Sequence, residues 1–566
     1  MSIRGSCSSH FLSENIDVPD KLRKQLYGKR YLIVLDDAWE TTTWDELTRP
    51  FPEAKKGSRI ILTTRGKEVA LHGKLNTDPL DLRLLRPDES WELLEKRAFG
   101  NESFPDELLD VDKEIAKNCK GLPLVADLIV GVIAGREKKR SVWLEVQSSS
   151  SSFILNSEVK VMKVIELSYD HLPHHLKPCL LYFASWPKDT IMSIYELNFF
   201  LGAKGFVGKT EMKIMEEVVK IYMDDLISSN LVICFNEIGD ALSFQIHDLV
   251  HDFCLIKARK ENLFDRIRSS APSDVLPRQL IIDYDDDEEH FGLNFVMFDS
   301  NKKRHSGKHL YSLKINGDEL DDRVYTFHLR HLRLLRVLDL DTSFIMVNDS
   351  LLNEICMLNH LRYLFIGTQV KYLPLSFSNL WNLEFLSVNN KESTLILLPR
   401  IWDLVKLRVL FVDDCSFFDM DADESILIAK DTKLENLRIL GELLIFYSKD
   451  TKNIFKRFPN LQMLQFVLKE SWDYSTEQHW FPKLDCLTEL EKLRASFKSS
   501  NTNHIGSSVA TNRPWDFHFP SNLKQLLLYD FPLTSDSLST IARLPNLEEL
   551  SLYDAIIHGE ERTAGH

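Results

Sequence analysis

Residues 29–40 read KRYLIVLDDAWE, where five apolar or aromatic residues, Tyr31 to Leu35, run straight into Asp36 and Asp37. Paired carboxylates at the end of an apolar, buried strand suit a hard cation: one acid can hold Mg²⁺ directly or through water while the next polarises an attacking water. Read alone, the same pattern is also an ordinary strand-to-loop exit. A second strand candidate, residues 57–65 (GSRIILTTR), sets Thr63, Thr64 and Arg65 at its carboxyl end. Ligands of open α/β sheets bind at that end, so Asp36, Asp37 and Arg65 are placed to converge on one phosphate group. Without its neighbours Arg65 would be a surface arginine.

Three further segments invite chemistry. Residues 121–124, Gly-Leu-Pro-Leu, read on spacing as a helix start, because proline is tolerated in a first turn. In residues 245–254, QIHDLVHDFC, His247 and His251 are four apart and would share a helix face. Such a pair binds zinc only with further ligands, and no other spaced cluster accompanies it, so metal binding is set aside. Residues 202–210, GAKGFVGKT, imitate a phosphate loop, but five residues separate the glycines where four are needed, and no strand precedes them.

The elements that must position these groups are many. A chain of 566 residues exceeds one hydrophobic core, and a composition of 44% hydrophobic and 27% charged residues is that of ordinary globular domains. A net charge of −15 opposes binding to nucleic-acid phosphates or an anionic membrane, although a local basic face is compatible with it. The eight cysteines form no C-x-x-C pair, which fits a reducing, intracellular compartment. The first residues, MSIRGSCSSHF, contain no apolar signal core, and the most apolar stretch, 122–135, is short and interrupted by Asp127. No secretion or membrane span is expected.

From residue 332 an L-x-x-L-x-x-L-x-L pattern recurs: Leu332/Leu335/Leu338/Leu340, then sets beginning at Leu358, Leu380, Leu404, Phe458 and Leu544, with weaker copies at Leu434 and Leu487. Steps of 26, 22 and 24 between the first four sets match a leucine-rich-repeat period. Each strand then turns its leucines inward and presents its x positions on a concave surface. Ahead of the repeats, residues 283–289 (DYDDDEE) and 301–309 (NKKRHSGKH) read as a solvated linker in which KKR is a weak nuclear address; the serine run 148–152 marks another break.

In order, LIVLDDAW, GSRIILTTR, LLRPDESWELLEKRAFG, GLPL, CLLYFASWPKD and the IHD of QIHDLVHDFC, followed by repeats, resemble the motif series of plant NB-ARC leucine-rich-repeat disease resistance proteins, most closely the late blight resistance group of nightshade plants. The resemblance implies an α/β nucleotide-binding remnant (1–85), a helical domain with GLPL (86–150), a winged-helix-like domain with IHD (155–265), a linker (266–310) and an α/β leucine-rich-repeat solenoid (311–566). It implies ADP or ATP with Mg²⁺ as cofactor: Asp36 and Asp37 serve the metal, Thr64 and Arg65 the phosphates, Gly121, Leu122 and Pro123 the adenine side. His247 with Asp248 latches the ADP β-phosphate. A pathogen effector or guarded host protein is the expected partner of the repeats, which also contact the switch within the chain; nucleic acid is not a partner. The expected location is cytoplasmic, with peripheral membrane association and a nuclear fraction left open. No G-x-x-x-x-G-K-[ST] precedes Asp36, so the chain is expected to be an amino-terminally truncated member, a switch and not a turnover enzyme. A nucleotide-independent repeat module or decoy is the alternative.

Overall fold

In the computed structural model the described residues run from 22 to 558, less 25, 37, 39–40, 49–50, 52–56, 65, 74–77, 101–107, 135–139, 141–142, 145, 148–156, 195–196, 198–199, 202–211, 236–241, 269–277, 285–308, 318–328, 341–345, 391–393, 398, 414, 418–431, 447–450, 470–471, 474–477, 499–514, 516 and 554–555. Asp37, Arg65, the 202–210 loop, the serine run and the KKR triplet therefore lie outside them. The chain divides into two units, residues 1–85 and 86–566.

In the first unit β1 (Leu32–Leu35) and β2 (Arg59–Leu62) pair in parallel, Leu32 opposite Arg59 and Leu35 opposite Leu62. Helix α1 (Thr41–Thr48) lies in the crossover and α2 (Lys67–His72) follows β2. One face of the pair is covered, with Trp44 and Val69 buried. On the other, Leu32 (65% exposed), Val34 (56%) and Ile61 (48%) face solvent. The expectation of a buried strand at Tyr31 to Leu35 is thus corrected. A continuous apolar run signals cover on both faces, but strand side chains alternate and, among the described residues, only one face of this pair is packed.

The second unit opens with helices α3 (Pro87–Phe99), α4 (Leu109–Asn118) and α5 (Pro123–Ala134). Pro87 occupies the first position of α3, and Glu89 reaches back to the Arg86 amide at 2.8 Å, closing the capping box. Next come α6 (Ser157–His171), α7 (Leu176–Tyr182), β3 (Met192–Ser193), α8 (Met212–Ser228), β4 (Ile233–Phe235), β5 (Ser243–Gln245) and α9 (Asp248–Lys260). The three short strands form an antiparallel sheet in the order β3-β5-β4, giving helices with a small wing.

A parallel sheet then runs to the carboxyl end: β6 (Asp265–Arg268), β7 (Gln279–Tyr284), β8 (Ser312–Gly317), β9 (Val337–Leu340), β10 (Tyr363–Thr368), β11 (Phe385–Asn390), β12 (Val409–Asp413), β13 (Ile439–Ile445), β14 (Met463–Lys469), β15 (Lys492–Lys498), β16 (Gln525–Tyr529) and β17 (Glu549–Tyr553), paired in chain order. Such unbroken sequential parallel pairing is a solenoid. It begins earlier than the pattern suggested: β7 and all of β6 but Asp265 fall in the stretch 266–310 read as linker, and both strands pair in the sheet. They carry no leading L-x-x-L, which is why the period missed them. The leucines of the regular sets are 0 to 1% exposed from Leu332 to Leu493, the copies read as weak included. A further unit, Leu523/Leu526/Leu528, was hidden because Pro520 stands where the first leucine would be.

Asparagines hold successive coils together. Asn382, Asn436, Asn460, Asn522 and Asn546 each donate from Nδ2 to a backbone oxygen of the preceding coil, at 2.5–2.9 Å. Lys406 stands in this column too, its Nζ 2.7 Å from Asn382 Oδ1. The ladder ties exposed turn carbonyls of one coil to the side chains of the next.

Candidate functional site

At the carboxyl ends of β1 and β2 the backbone is tied across: the Thr63 amide donates to Leu35 O (2.9 Å) and the Ala38 amide to Thr63 O (3.0 Å). The Thr63 hydroxyl donates to Asp36 Oδ1. Thr64 Oγ1 donates to Ala38 O (2.6 Å) and accepts from the Gly66 amide (3.0 Å), so this hydroxyl closes the loop. Asp36 is exposed. A solvent-facing carboxylate oriented by a hydroxyl is oxygen chemistry that fits Mg²⁺.

The remaining expected contacts sit in the second unit. At GLPL, α4 ends in two left-handed residues, Lys120 (φ 53°) and Gly121 (φ 76°), which reverse the chain so that Pro123 can start α5. Gly121 is buried, Leu122 half-buried and Pro123 exposed. The motif thus makes a tight helix hairpin. Its second helix is pinned from behind: a Cβ on Gly131 would lie 2.0 Å from Ser229 O, and Asn230 Nδ2 donates to Asp127 O at 2.6 Å.

At IHD, Ile246 is core, His247 is the N-cap of α9 and Asp248 opens its first turn, where a carboxylate suits the helix dipole. His247 Nδ1 accepts from the Leu249 amide at 3.1 Å. A neutral ring so placed carries its proton on Nε2, which is then a donor. The two histidines take different tasks: His251 Nε2 lies 2.8 Å from Trp186 O. No metal-holding group of His, Cys, Asp or Glu occurs among the described residues. Burial lowers the His251 pKa, with Arg266 and Lys188 acting in the same direction and the Trp186 carbonyl and Asp252 opposing.

Trp186 O also accepts from Arg266 Nη1 (3.0 Å) on β6. Arg266 forks onto Asp283 of β7, which accepts from Asn316 Nδ2 of β8 at 2.8 Å. Lys314 pairs with Asp339 (3.2 Å) while lying over the Trp186 ring. Tyr182, fully buried and held well above the ordinary phenol range by desolvation, hydrogen-bonds Ser312. A polar chain therefore joins the IHD helix to the first solenoid strands.

Apolar packing extends the seam. The concave position just before each first strand leucine reads Val337, Tyr363, Phe385, Val409, Ile439, Met463, then Lys492, Gln525, Glu549. The first five are at most 7% exposed and belong to the same cluster as Tyr182, Phe200 and Leu201. Phe200 meets Tyr363 edge-on (5.1 Å between centroids), and Tyr363 stacks on Phe385 (4.2 Å). The winged-helix module fills the first half of the concave face. The change of this column from apolar to polar was written in the sequence and would have revealed the seam.

This arrangement defines a class: a winged-helix module continuous with a leucine-rich-repeat solenoid. Residues 7–103 match the NB-ARC domain, 186–254 the disease resistance protein winged helix domain and 309–561 the leucine-rich repeat region. The chain thus has the domain set of plant NB-ARC leucine-rich-repeat disease resistance proteins, and it resembles the late blight resistance proteins of Solanum demissum. It is 32% identical over 560 residues to a late blight resistance protein of that species, and 32% identical over 557 residues to a putative late blight resistance protein homolog from the same plant. Each match covers 95% of this chain and 41% of the relative, so the chain spans about two fifths of the length of these relatives. Among solved structures, an internalin of Listeria monocytogenes is similar over 46% of this chain and 79% of its own, at 17% identity and a TM-score of 0.27. No described helix is long and apolar enough to cross a membrane.

Proposed function

We propose that the chain acts in an intracellular plant immune receptor whose repeats sense a pathogen effector or guarded host protein and bias an ADP/ATP switch toward defence and hypersensitive cell death. The observation that carries this reading is the seam, because a ligand on the repeats and a ligand at the IHD helix would act on one shared core. A partner favouring the opened seam shifts the population by its differential affinity for the two states.

Within this reading Asp36 and Asp37 serve Mg²⁺, Thr64 and Arg65 the phosphates, Gly121, Leu122 and Pro123 the adenine side, and His247 with Asp248 the β-phosphate. Mg²⁺, when bound, would neutralise phosphate charge. His247 supports its role by presenting an Nε2 donor at the start of a thirteen-residue helix, a place that favours anions. Protein denatured and passed over an anion-exchange column should release stoichiometric ADP. His247→Ala should lower that content, and a folded protein without nucleotide would overturn the switch.

A second reading has its own observation: the described seam against the repeat sheet is a continuous hydrophobic cluster of second-unit side chains, Tyr182, Phe200 and Tyr363 among them. The chain would then be a nucleotide-independent repeat module or decoy. Partner capture unchanged by Asp36→Ala would favour it.

A further inference from the structure

The second half of the concave face differs from the first in charge and in cover. Strands β14 to β17 carry four cations, Lys469, Lys492, Arg494 and Lys498, against one anion, Glu549. The chain as a whole is at −15. These residues fall on alternate positions with Gln465 and Tyr529, hence on the sheet's open face. The Glu549 carboxylate accepts from Gln525 Nε2 at 2.9 Å.

Arg494 lies over the Tyr529 ring, 4.7 Å from its centroid, and Tyr529 stacks on Tyr553 at 4.7 Å with 9° between planes. Tyr553 is 47% exposed. On the earlier strands Lys314 pairs with Asp339, and just ahead of the strands Arg362 pairs with Glu384 and Lys524 with Glu491. Arg494 has no such carboxylate among the described residues, and its Nε lacks a hydrogen-bond partner.

We propose that the concave face of β14 to β17 is the docking surface for an acidic polypeptide segment of a partner protein. Arg494 is its carboxylate clamp, and the Tyr529–Tyr553 stack is the shelf beside it. The inference rests on the reading of the repeats as the partner-binding part and adds the chemistry of that partner. A guanidinium held over a tyrosine ring is restrained in position, so a carboxylate that forks onto it gains two hydrogen bonds with less further side-chain ordering. Local positive charge on an acidic protein steers an acidic segment here and away from the remaining surface.

The test is fluorescence anisotropy of the full chain with a fluorescein-labelled Glu-Gly repeat peptide, a Lys-Gly counterpart and a thymidylate oligonucleotide. The Glu-Gly peptide should bind, more weakly as salt rises, and the Lys-Gly peptide should not. Arg494→Glu should weaken binding about tenfold or more, whereas Lys456→Glu, an equal charge change at an exposed site off these strands, should leave it unchanged. Arg494→Lys, which keeps charge without the planar fork, should fall between. Equal losses for both reversals, no preference over Lys-Gly, or tighter capture of the oligonucleotide would each overturn the proposal. Loss of bound nucleotide would count against the switch alone, since this binding needs none.

Discussion

Asp112 offers a measurement whose sign and size follow from its surroundings. It sits on the core face of α4, fully buried beside Val111 and Ile115. Trp91 Nε1 donates to its Oδ2 at 2.7 Å, while Oδ1 has no partner among the described residues. Desolvation pushes the carboxyl up from 3.8 to about 7, the Trp91 hydrogen bond opposing and Glu95 adding to the rise. A pKa raised on folding contributes stability that is complete below the unfolded value and lost as pH climbs through the folded one. Three units at 1.36 kcal/mol each set a ceiling of about 4 kcal/mol, of which about 2.5 kcal/mol falls between pH 5 and pH 8. Asp112→Asn keeps an acceptor for Trp91 and removes the titration. Urea unfolding of both proteins at the two pH values should show the variant gaining about 2 kcal/mol more at pH 8 than at pH 5. A difference independent of pH would refute the reasoning, because the carboxyl would then be solvated or paired in the fold.

Tyr363→Ala, which removes a 7% exposed ring between Phe200 and Phe385, should cost about 3 to 5 kcal/mol. Limited proteolysis should show earlier cleavage around residues 186–200, and an unchanged pattern would mean that the seam does not hold the winged helix. His251 has its pKa lowered by burial, so its contribution is complete above 6.5 and is lost as pH falls through the folded value. His251→Gln should flatten the acid limb of a melting-temperature profile relative to wild type. Gly131→Ala places a methyl against the Ser229 carbonyl and should destabilise by about 1 to 3 kcal/mol, seen as a lower urea midpoint with no change in slope.

The sequence signals that worked were those in which spacing and burial coincide. Leu364 and Ile366 sit two apart on β10 and both are at most 1% exposed, so the repeat was visible from its own period. Pro123 at the start of α5 and Glu89 in the capping box are local chemistry, decided within a turn. What failed depended on partners distant in the chain. Leu32 and Val34 read as buried because a pattern of residue types cannot say whether a second layer covers the face. β6 and β7 were lost in the stretch read as linker because the core side chains of β7, Leu280 and Ile282, are too few to show a period. Of the site, Asp36 and Thr63 are joined at adjacent strand ends and Thr64 is tied to Ala38 O, while Asp37 and Arg65, expected to converge with Asp36 on a phosphate, lie outside the described residues. The Trp186 carbonyl bond to Arg266 spans 80 residues and leaves no local trace.

That long-range contact bears on how a signal could travel. Trp186 O is shared by His251, one turn into the IHD helix, and by Arg266 on the first solenoid strand, whose guanidinium is fixed by Asp283. A shift of α9 that withdrew His251 would leave its Nε2–H buried beside a carbonyl it no longer reaches, an arrangement that costs about 1 to 3 kcal/mol unless the solenoid strand follows. The same oxygen would still be held by Arg266, so movement of the winged helix against the sheet has to break a charge-assisted bond as well. Two discrete packings are therefore favoured over a graded slide, since a half-satisfied buried network is less stable than either end state. Within the proposed switch the coupling would run both ways, so a ligand that opened the concave seam would loosen the histidine helix by the same free energy.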